Sequence, residues 1–218
     1  MKKISIIRIC IWLLALAPII LVAALYSRLP ETIPMNWGLS GEPSRGHKAH
    51  IWWLAGLSPA IAGLFMLLPK IDPRGKNYEK FRGFYDAFAL FMMLFLLGIV
   101  GMILSESFNP GRIQVHFVVI AFLGILFIFL GNMLPKFKSN FFAGIKTPWT
   151  LSNNEVWNKT HRLAGFLFFF GGVLITVLNF FISGTLMFVI LLGILAVMVL
   201  VPIIMSYKWY QKLVENKN

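Results

Sequence analysis

Six long apolar stretches constrain the fold of this chain more than any other feature of its sequence. A helix that crosses a bilayer needs about 20 mostly apolar residues, because the hydrocarbon core is about 30 Å thick and each helical residue rises about 1.5 Å. Backbone inside the bilayer must satisfy its own hydrogen bonds, which excludes an open sheet. The sequence therefore predicts an all-α integral membrane protein, a six-helix transmembrane bundle with spans near 6–25, 51–68, 84–104, 113–134, 163–182 and 185–206.

Composition supports this class. Of 218 residues, 58% are apolar and 13% are charged, whereas a soluble domain averages about 25% charged residues. The first apolar run is longer than the core of a signal peptide, about 7 to 15 residues, and Ser27-Arg28-Leu29 is a poor cleavage site. We therefore interpret the first stretch as a retained helix. The last two spans are separated at Ser183-Gly184-Thr185, where Gly permits a tight turn.

The distribution of Lys and Arg predicts the orientation of the spans. Alternating the six spans places sixteen basic residues on one side and four on the other, and the richer side is normally cytoplasmic. Both termini are then cytoplasmic. The net charge of +12 is explained by orientation and by attraction to anionic membrane lipid, so no direct nucleic-acid partner is expected. The four outer residues are Arg28, Arg45, Lys48 and Arg112, and the inner set includes Lys2, Lys3, Arg8 and Lys217.

Four segments describe the chain. Residues 1–69 hold two spans and an extracellular Pro/Gly-rich loop at 27–50, and residues 70–134 hold spans three and four. Residues 135–163 form a conspicuous cytoplasmic loop, and residues 164–218 form a hairpin of two spans with a basic tail.

Enzyme chemistry is hard to find. The chain has no HExxH, no phosphate-binding glycine loop, no Gly-x-Ser-x-Gly elbow and no Cys-x-x-Cys, so we expect no enzyme, no cofactor and no metal. None of the eight acidic residues lies at the centre of a span, which disfavours a proton-coupled pump. Asp86, near the inner end of the third span, is expected to be solvated beside Arg82 and Lys80.

Two other classes stay open. A small-molecule transporter or permease would need a polar cavity near the midplane, where Thr176 and Asn179 are candidate lining residues. A membrane enzyme could use His47, His50 or His116. The pair His47 and His50, with Glu42 upstream, would also be a weak metal site if that stretch were helical.

The two polar loops have marked local patterns. In the inner loop Pro135 should end the fourth helix, and Ser152 with Glu155 matches a capping box for a helix that starts near Asn153. That helix would place Val156, Trp157, Thr160 and Ala164 on one side. The outer loop has closely spaced Pro and Gly, which favours a compact, turn-rich structure. Trp37, Trp52 and Trp53 beside it suit the membrane interface.

The inner loop resembles a known family. The string Gly144-Ile145-Lys146-Thr147-Pro148-Trp149-Thr150-Leu151, followed by Val156-Trp157 and Thr160-His161 and preceded by Gly131-Asn132 and Pro135-Lys136, is similar to the hallmark of the Sdp-type immunity proteins (SdpI-like). Leu29-Pro30, Ile33-Pro34 and Gly41 resemble the short extracellular domain of unknown function at the front of these proteins. Two positions depart from the family pattern. Lys146 replaces the usual Arg, which loses the planar fork, and Asn36-Trp37 replaces a His-Phe pair.

The resemblance implies a location in a bacterial cell membrane and a function there. Such proteins give immunity to a secreted, membrane-active peptide toxin and, in the best-known members, hold an ArsR-type autorepressor at the membrane. The implied partner-binding residues of the cytoplasmic loop are Lys136, Lys138, Lys146, Thr147, Pro148, Trp149, Trp157, Thr160, His161 and Arg162. Those of the extracellular loop are Pro30, Ile33, Pro34, Asn36, Trp37 and Gly41. For both loops the alternative is a structural role, in which the motif serves the fold or anchors the loop at the interface.

Overall fold

The computed structural model describes residues 6–38 and 42–215. It has six helices that are long and apolar enough to cross a membrane, which confirms the predicted all-α membrane class. A two-stranded hairpin, one short α-helix and four 3₁₀ helices, at Tyr26–Arg28, Lys48–His50, Gly75–Phe81 and Leu134–Lys136, complete the described structure. The elements are α1 Ile6–Leu25, β1 Thr32–Trp37, β2 Pro43–His47, α2 Ile51–Ile71, α3 Arg82–Phe108, α4 Val115–Met133, α5 Pro148–Ser152, α6 Asn154–Leu178 and α7 Gly184–Glu215.

Proline and glycine set the helix boundaries as the sequence predicts. α4 ends at Met133 and a 3₁₀ turn over Leu134–Lys136 follows, because Pro135 cannot donate the next helical hydrogen bond. α7 begins at Gly184, whose φ of +62° is readily adopted only by glycine. α7 is 32 residues long, so the described part of the basic tail is a continuation of the last helix.

The outer loop contains an antiparallel hairpin, a structure that the Pro/Gly pattern did not specify. Thr32 of β1 pairs with His47 of β2, and the register shifts between Pro34 and Asn36. Pro34 lacks an N–H to donate but is tolerated here because the sheet has only two strands, both of them edges. The hairpin is closed at its base by a bond from the Lys48 N–H to the Glu31 carbonyl, 2.9 Å long.

The chain folds into two compact units. Unit 1 takes in Met1–Leu67 and Tyr85–Val119, and unit 2 takes in Leu68–Phe84 and Ile120–Asn218. In unit 1 the hairpin is attached to a buried apolar cluster through Leu29 and Ile33. The other members of that cluster are Val22, Ile51, Ala55, Val100, Ile103 and Leu104.

Asp86 corrects one expectation. It is buried, and its Oδ2 accepts from the Arg8 guanidinium at 3.5 Å. The prediction of a solvated carboxylate was wrong because the first helix brings Arg8 alongside, a contact between residues 78 positions apart. A carboxylate withdrawn from water needs such a partner.

In unit 2, α4 and α6 pack closely through two glycines on each helix, spaced seven residues apart. They are Gly124 and Gly131 on α4 and Gly165 and Gly172 on α6. A Cβ added to Gly131 would lie 2.6 Å from the Phe169 Cα, and one added to Gly172 would lie 2.6 Å from the Gly124 carbonyl oxygen. Small residues let helix backbones come this close, which is how membrane helices gain packing contacts without a hydrophobic driving force. This pair of helices carries the loop between them.

Candidate functional site

Residues 136–162, called here the signature segment, run from the end of α4 into the first turns of α6. They comprise an irregular loop, the short helix α5 and the N-terminal part of α6. The segment lies wholly in unit 2, together with the loop at 72–81 that joins α2 to α3, called here the brace loop. These two stretches form the densest polar network among the described residues.

Local sequence explains α5. Thr147 caps it by accepting from the Thr150 N–H at 3.2 Å, and the Thr150 hydroxyl oxygen accepts from the Thr147 N–H at 2.8 Å. Pro148 occupies the first helical turn, where its missing N–H costs nothing.

The start of α6 differs from the prediction, and the capping box predicted at Ser152 and Glu155 was wrong. Asn153 caps α6 instead, accepting from the N–H groups of Glu155 and Val156, because its short side chain reaches both.

α6 begins at Asn154, and the side on which the spacing groups four residues is buried. Val156, Trp157, Thr160 and Ala164 are all at most 1% exposed. Trp157 Nε1 donates to the Phe137 carbonyl at 2.9 Å, which ties the start of the loop to the helix. The Thr160 hydroxyl is buried and has no hydrogen-bond partner in the part of the chain that the structure describes.

His161 holds the middle of the loop. Its ring stacks on Trp157 with centroids 4.0 Å apart, and Nε2 accepts from the Ile145 N–H at 3.0 Å. Nδ1 lies 2.8 Å from the Trp157 carbonyl, so it is the protonated nitrogen of a neutral ring. Gly144 has φ +111°, and a Cβ there would collide with the imidazole. The Gly-Ile pair of the motif is thus explained by close approach to this histidine.

Trp149 connects α5 to the end of α7. Its indole N–H donates to the Ser206 hydroxyl, and its ring packs on Tyr207 at a centroid distance of 5.2 Å. Trp149 is half-buried as a result. The aromatic side chains of the motif therefore hold the segment together rather than standing free on its surface.

The brace loop supplies contacts that sequence reasoning missed. The Asp72 carboxylate accepts from the N–H of Arg74 at 2.7 Å and from the N–H of Phe141 at 2.9 Å. The Arg74 guanidinium donates to the Leu151 carbonyl at 2.8 Å and to the Ser139 hydroxyl. The sequence signal is limited to Asp72-Pro73-Arg74-Gly75, a turn-forming string, and the charge distribution treats Arg74 only as one more inner cation.

Asn140 organises the centre of the network. It is fully buried, and its Oδ1 accepts from the N–H groups of Phe142 and Ala143 at 2.9 and 2.6 Å. The Tyr78 hydroxyl lies 3.0 Å from Asp72 Oδ2 and 3.2 Å from Asn140 Oδ1. A buried side chain can compensate for lost water only through such bonds, so the loop at 137–143 is held in a defined shape.

The predicted inner-site residues fall into three sets by burial. The buried set, which packs inside the segment, is Trp157, Thr160 and His161, and Thr147 and Trp149 are half-buried. The exposed set is Lys136, Lys138, Lys146, Pro148 and Arg162. Four of those five are cations, so the accessible part of the segment is basic. Their role in binding a partner stays a prediction.

Two exposed aromatic residues stand beside these cations. Phe141 and Phe142 are 40% and 39% exposed on a loop that connects two membrane-length helices. Lys136 lies over the Phe84 ring at 4.6 Å, and the Lys146 ammonium donates to the Phe142 carbonyl at 3.2 Å. Aromatic rings next to Lys at this position suit a membrane interface.

The outer-loop candidates are also divided by burial. Ile33 and Pro34 are buried, Trp37 is half-buried and packs on the apolar cluster, and Pro30 and Asn36 are exposed. Gly41 lies outside the described residues. Binding of an external ligand by Pro30 and Asn36, the exposed members of this set, stays a prediction.

The histidines of the outer side have other contacts. His47 Nδ1 accepts from the Ala49 N–H at 3.2 Å, and His116 Nε2 lies 2.8 Å from the Gly38 carbonyl. Across 6–38 and 42–215, no three or more His, Cys, Asp or Glu side chains are grouped to hold a metal ion. The Thr176 hydroxyl donates to the Gly172 carbonyl of its own helix at 2.9 Å.

Family models match two ranges of the chain, and each range contains one of the two loops. Residues 136–206 match the SdpI/YfhL protein family, and residues 13–62 match a domain of unknown function, DUF1648. The Immunity protein SdpI of Bacillus subtilis (strain 168) is 28% identical over 215 residues, which cover 98% of this chain and 98% of that protein. No solved structure matches the chain. The first matched range begins with the signature segment and the second spans the hairpin, so the chain is similar to the SdpI/YfhL family over 136–206 and to DUF1648 over 13–62.

Proposed function

We propose that this chain is an immunity protein that protects the membrane containing it against a secreted, membrane-active peptide toxin. The observation that carries the proposal is the similarity to an immunity protein over 98% of both chains. Six apolar helices and the scarcity of ionisable groups within them support a role in the bilayer itself rather than in ion transport.

The orientation is part of the proposal. The bias of sixteen basic residues against four supports both termini in the cytoplasm, with the signature segment facing the cytosol and the hairpin facing outward. A reporter fused after Ser152 and another fused in the hairpin should then give opposite signals. Activity of the Ser152 fusion only on the exterior would refute this orientation.

The signature segment is proposed to bind a cytoplasmic protein, and the family resemblance suggests an ArsR-type repressor. Four of its exposed cations, Lys136, Lys138, Lys146 and Arg162, suit an acidic surface, where charge complementarity favours encounter and orientation. Trp157 and His161 would serve this role only indirectly, because both are buried.

The hairpin is proposed to meet the toxin. Asn36 and Pro30 are exposed, while Ile33 anchors the strand to the apolar cluster of unit 1. For a toxin outside to change the affinity of a repressor inside, the protein needs two states that the toxin binds unequally. If toxin leaves repressor recruitment unchanged while protection persists, the signalling part fails and simple protection remains.

Survival of a toxin-sensitive Gram-positive strain tests the proposal. Expression of this chain should raise survival during exposure to Sdp-type peptide toxin, and Thr147→Ala and Trp149→Ala should lower it. Lys212→Gln, which changes an exposed cation of α7 outside the signature segment, is the control and should leave survival as in the wild type. Unchanged killing with every toxin of this type, at equal protein level in the membrane, would refute the immunity function.

Recruitment of a fluorescent ArsR-type repressor to the membrane tests the inner partner. Lys138→Gln with Lys146→Gln should reduce recruitment while protection is retained, and Lys212→Gln should not. Equal recruitment by the wild type and both variants would exclude the basic surface of the segment as the binding site.

A further inference from the structure

We infer that the functional site of this protein includes a second chain segment, the brace loop at 72–81, whose Asp72, Arg74 and Tyr78 are positioning residues for the signature segment. The brace loop lies outside both matched ranges, 13–62 and 136–206. Its functional meaning rests on the proposed role of the signature segment, whereas the structural coupling can be measured independently of it.

Asp72 is the first positioning residue. Its carboxylate is buried and lies within 3.0 Å of three donors, the N–H of Arg74, the N–H of Phe141 and the hydroxyl of Tyr78. Hydrogen bonds to an ionised acceptor are shorter and stronger than neutral ones. One of these donors belongs to the signature segment, 69 residues away, so the carboxylate fixes the distance between the two loops.

Arg74 is the second positioning residue, and it spans two parts of the signature segment at once. Nη2 donates to the Leu151 carbonyl in α5, Nη1 donates to the Ser139 hydroxyl, and the guanidinium lies over the Phe141 ring at 5.0 Å. The planar fork of Arg allows these contacts together, which a Lys ammonium cannot reproduce. Arg74 therefore sets the separation between α5 and the loop that precedes it.

Tyr78 completes the connection through Asn140. Its hydroxyl contacts Asp72 and Asn140, and its ring packs on Phe81 with centroids 5.1 Å apart. Next to it, Asn77 Nδ2 donates to the Ser139 carbonyl at 2.7 Å. The brace loop thus touches the signature segment at Ser139, at Asn140, at Phe141 and at Leu151.

These contacts matter because residues 137–147 form no helix or strand. A loop without backbone ladders owes its conformation to side-chain bonds and to packing. The same backbone carries Lys138 and Lys146. The Lys138 carbonyl accepts from Asn140 Nδ2 at 2.9 Å. The orientation of the exposed Lys138 and Lys146 side chains therefore depends on the backbone that the brace loop holds.

Hydrogen exchange of the full-length protein in lipid nanodiscs tests the inference. Asp72→Asn and Arg74→Gln should accelerate amide exchange in peptides covering 137–147 by about tenfold to a hundredfold, the effect of losing hydrogen bonds to a charged group. Exchange in the buried parts of α4 and α7 should stay as in the wild type. The matched controls Glu79→Gln and Lys76→Gln, which change the same charges at exposed positions of the same loop, should leave 137–147 protected.

Two conservative variants separate positioning from general support of the fold. Tyr78→Phe keeps the ring against Phe81 and removes only the hydroxyl, and Arg74→Lys keeps the charge and removes the fork. Both should give exchange in 137–147 between that of the wild type and that of Arg74→Gln, with an unchanged midpoint of thermal unfolding. Unchanged exchange in 137–147 for Asp72→Asn and Arg74→Gln would overturn the inference, and so would equally accelerated exchange throughout α6 and α7.

Repressor recruitment separates failure of the inference from failure of the proposed function. If the exchange result holds, Arg74→Gln should reduce recruitment as Lys138→Gln and Lys146→Gln combined do, and adding Arg74→Gln to that double variant should reduce recruitment no further. If the chain protects no strain at all, the exchange result still decides whether the brace loop positions the signature segment, and only the immunity proposal is lost.

Discussion

Replacing Gly144 with Ala should destabilise the protein through a defined collision. At φ +111° an L residue is strained, and the new Cβ would lie 3.0 Å from His161 Cδ2 and closer still to Nε2. The imidazole must move, which breaks its 3.0 Å bond from the Ile145 N–H. Backbone strain costs about 1–3 kcal/mol and loss of the buried bond costs about 1–3 kcal/mol. The expected loss of unfolding free energy is therefore about 2–6 kcal/mol.

Unfolding of the detergent-solubilised protein, followed by near-UV circular dichroism during denaturant titration, measures this difference. Gly193→Ala in α7 is the matched control, because a Cβ at that helical position has no neighbour within 4 Å. The control should be neutral or stabilising by up to about 1 kcal/mol, since Ala is the better helix former. If Gly144→Ala unfolds within about 0.5 kcal/mol of the wild type, a scale set by ordinary surface substitutions, the proposed contact between Gly144 and His161 is refuted.

Two further predictions concern other parts of the chain. Gly131→Ala should lower the free energy of unfolding by about 1–3 kcal/mol, the usual cost of overpacking, because the new Cβ would collide with the α6 backbone at Phe169. The same denaturant titration measures this loss. A free energy of unfolding equal to that of Gly193→Ala would contradict the close packing of α4 and α6. In the hairpin, the hydrogen bond and charge of Lys48 lower the pKa of Glu31 below its ordinary value of 4.5. Stabilisation from this pair is present above pH 4.5 and is lost as the pH falls through the lowered pKa. Carboxyl NMR titration should show the pKa of Glu31 rising toward 4.5 in Lys48→Met, and an identical pKa in both proteins would exclude the interaction.

The candidate site was predictable where its signal was local. The string from Gly144 to Leu151 identified the segment, and the start of α6 near Asn153 followed from its polar cap and from apolar residues spaced along one side of the helix. The exact cap was missed because Ser152 and Asn153 are both good N-cap residues, and neighbouring backbone decides between them. The resemblance implied partner binding for Trp157 and His161, and a structural role was the alternative. Their burial follows from their stacking contact and from bonds to Phe137 and Ile145.

The sequence by itself determined the membrane class, the number of spans and most helix boundaries. These depend on the length of apolar runs and on nearby Pro and Gly, and the physics of each is local to about 20 residues. Only the tertiary structure revealed the brace loop, the Arg8–Asp86 pair and the glycine contacts of α4 with α6. Each joins residues far apart in the chain, such as Asp72 and Phe141. Which distant polar groups meet depends on how the helices pack, because a buried donor or acceptor takes the partner that packing brings within hydrogen-bond distance.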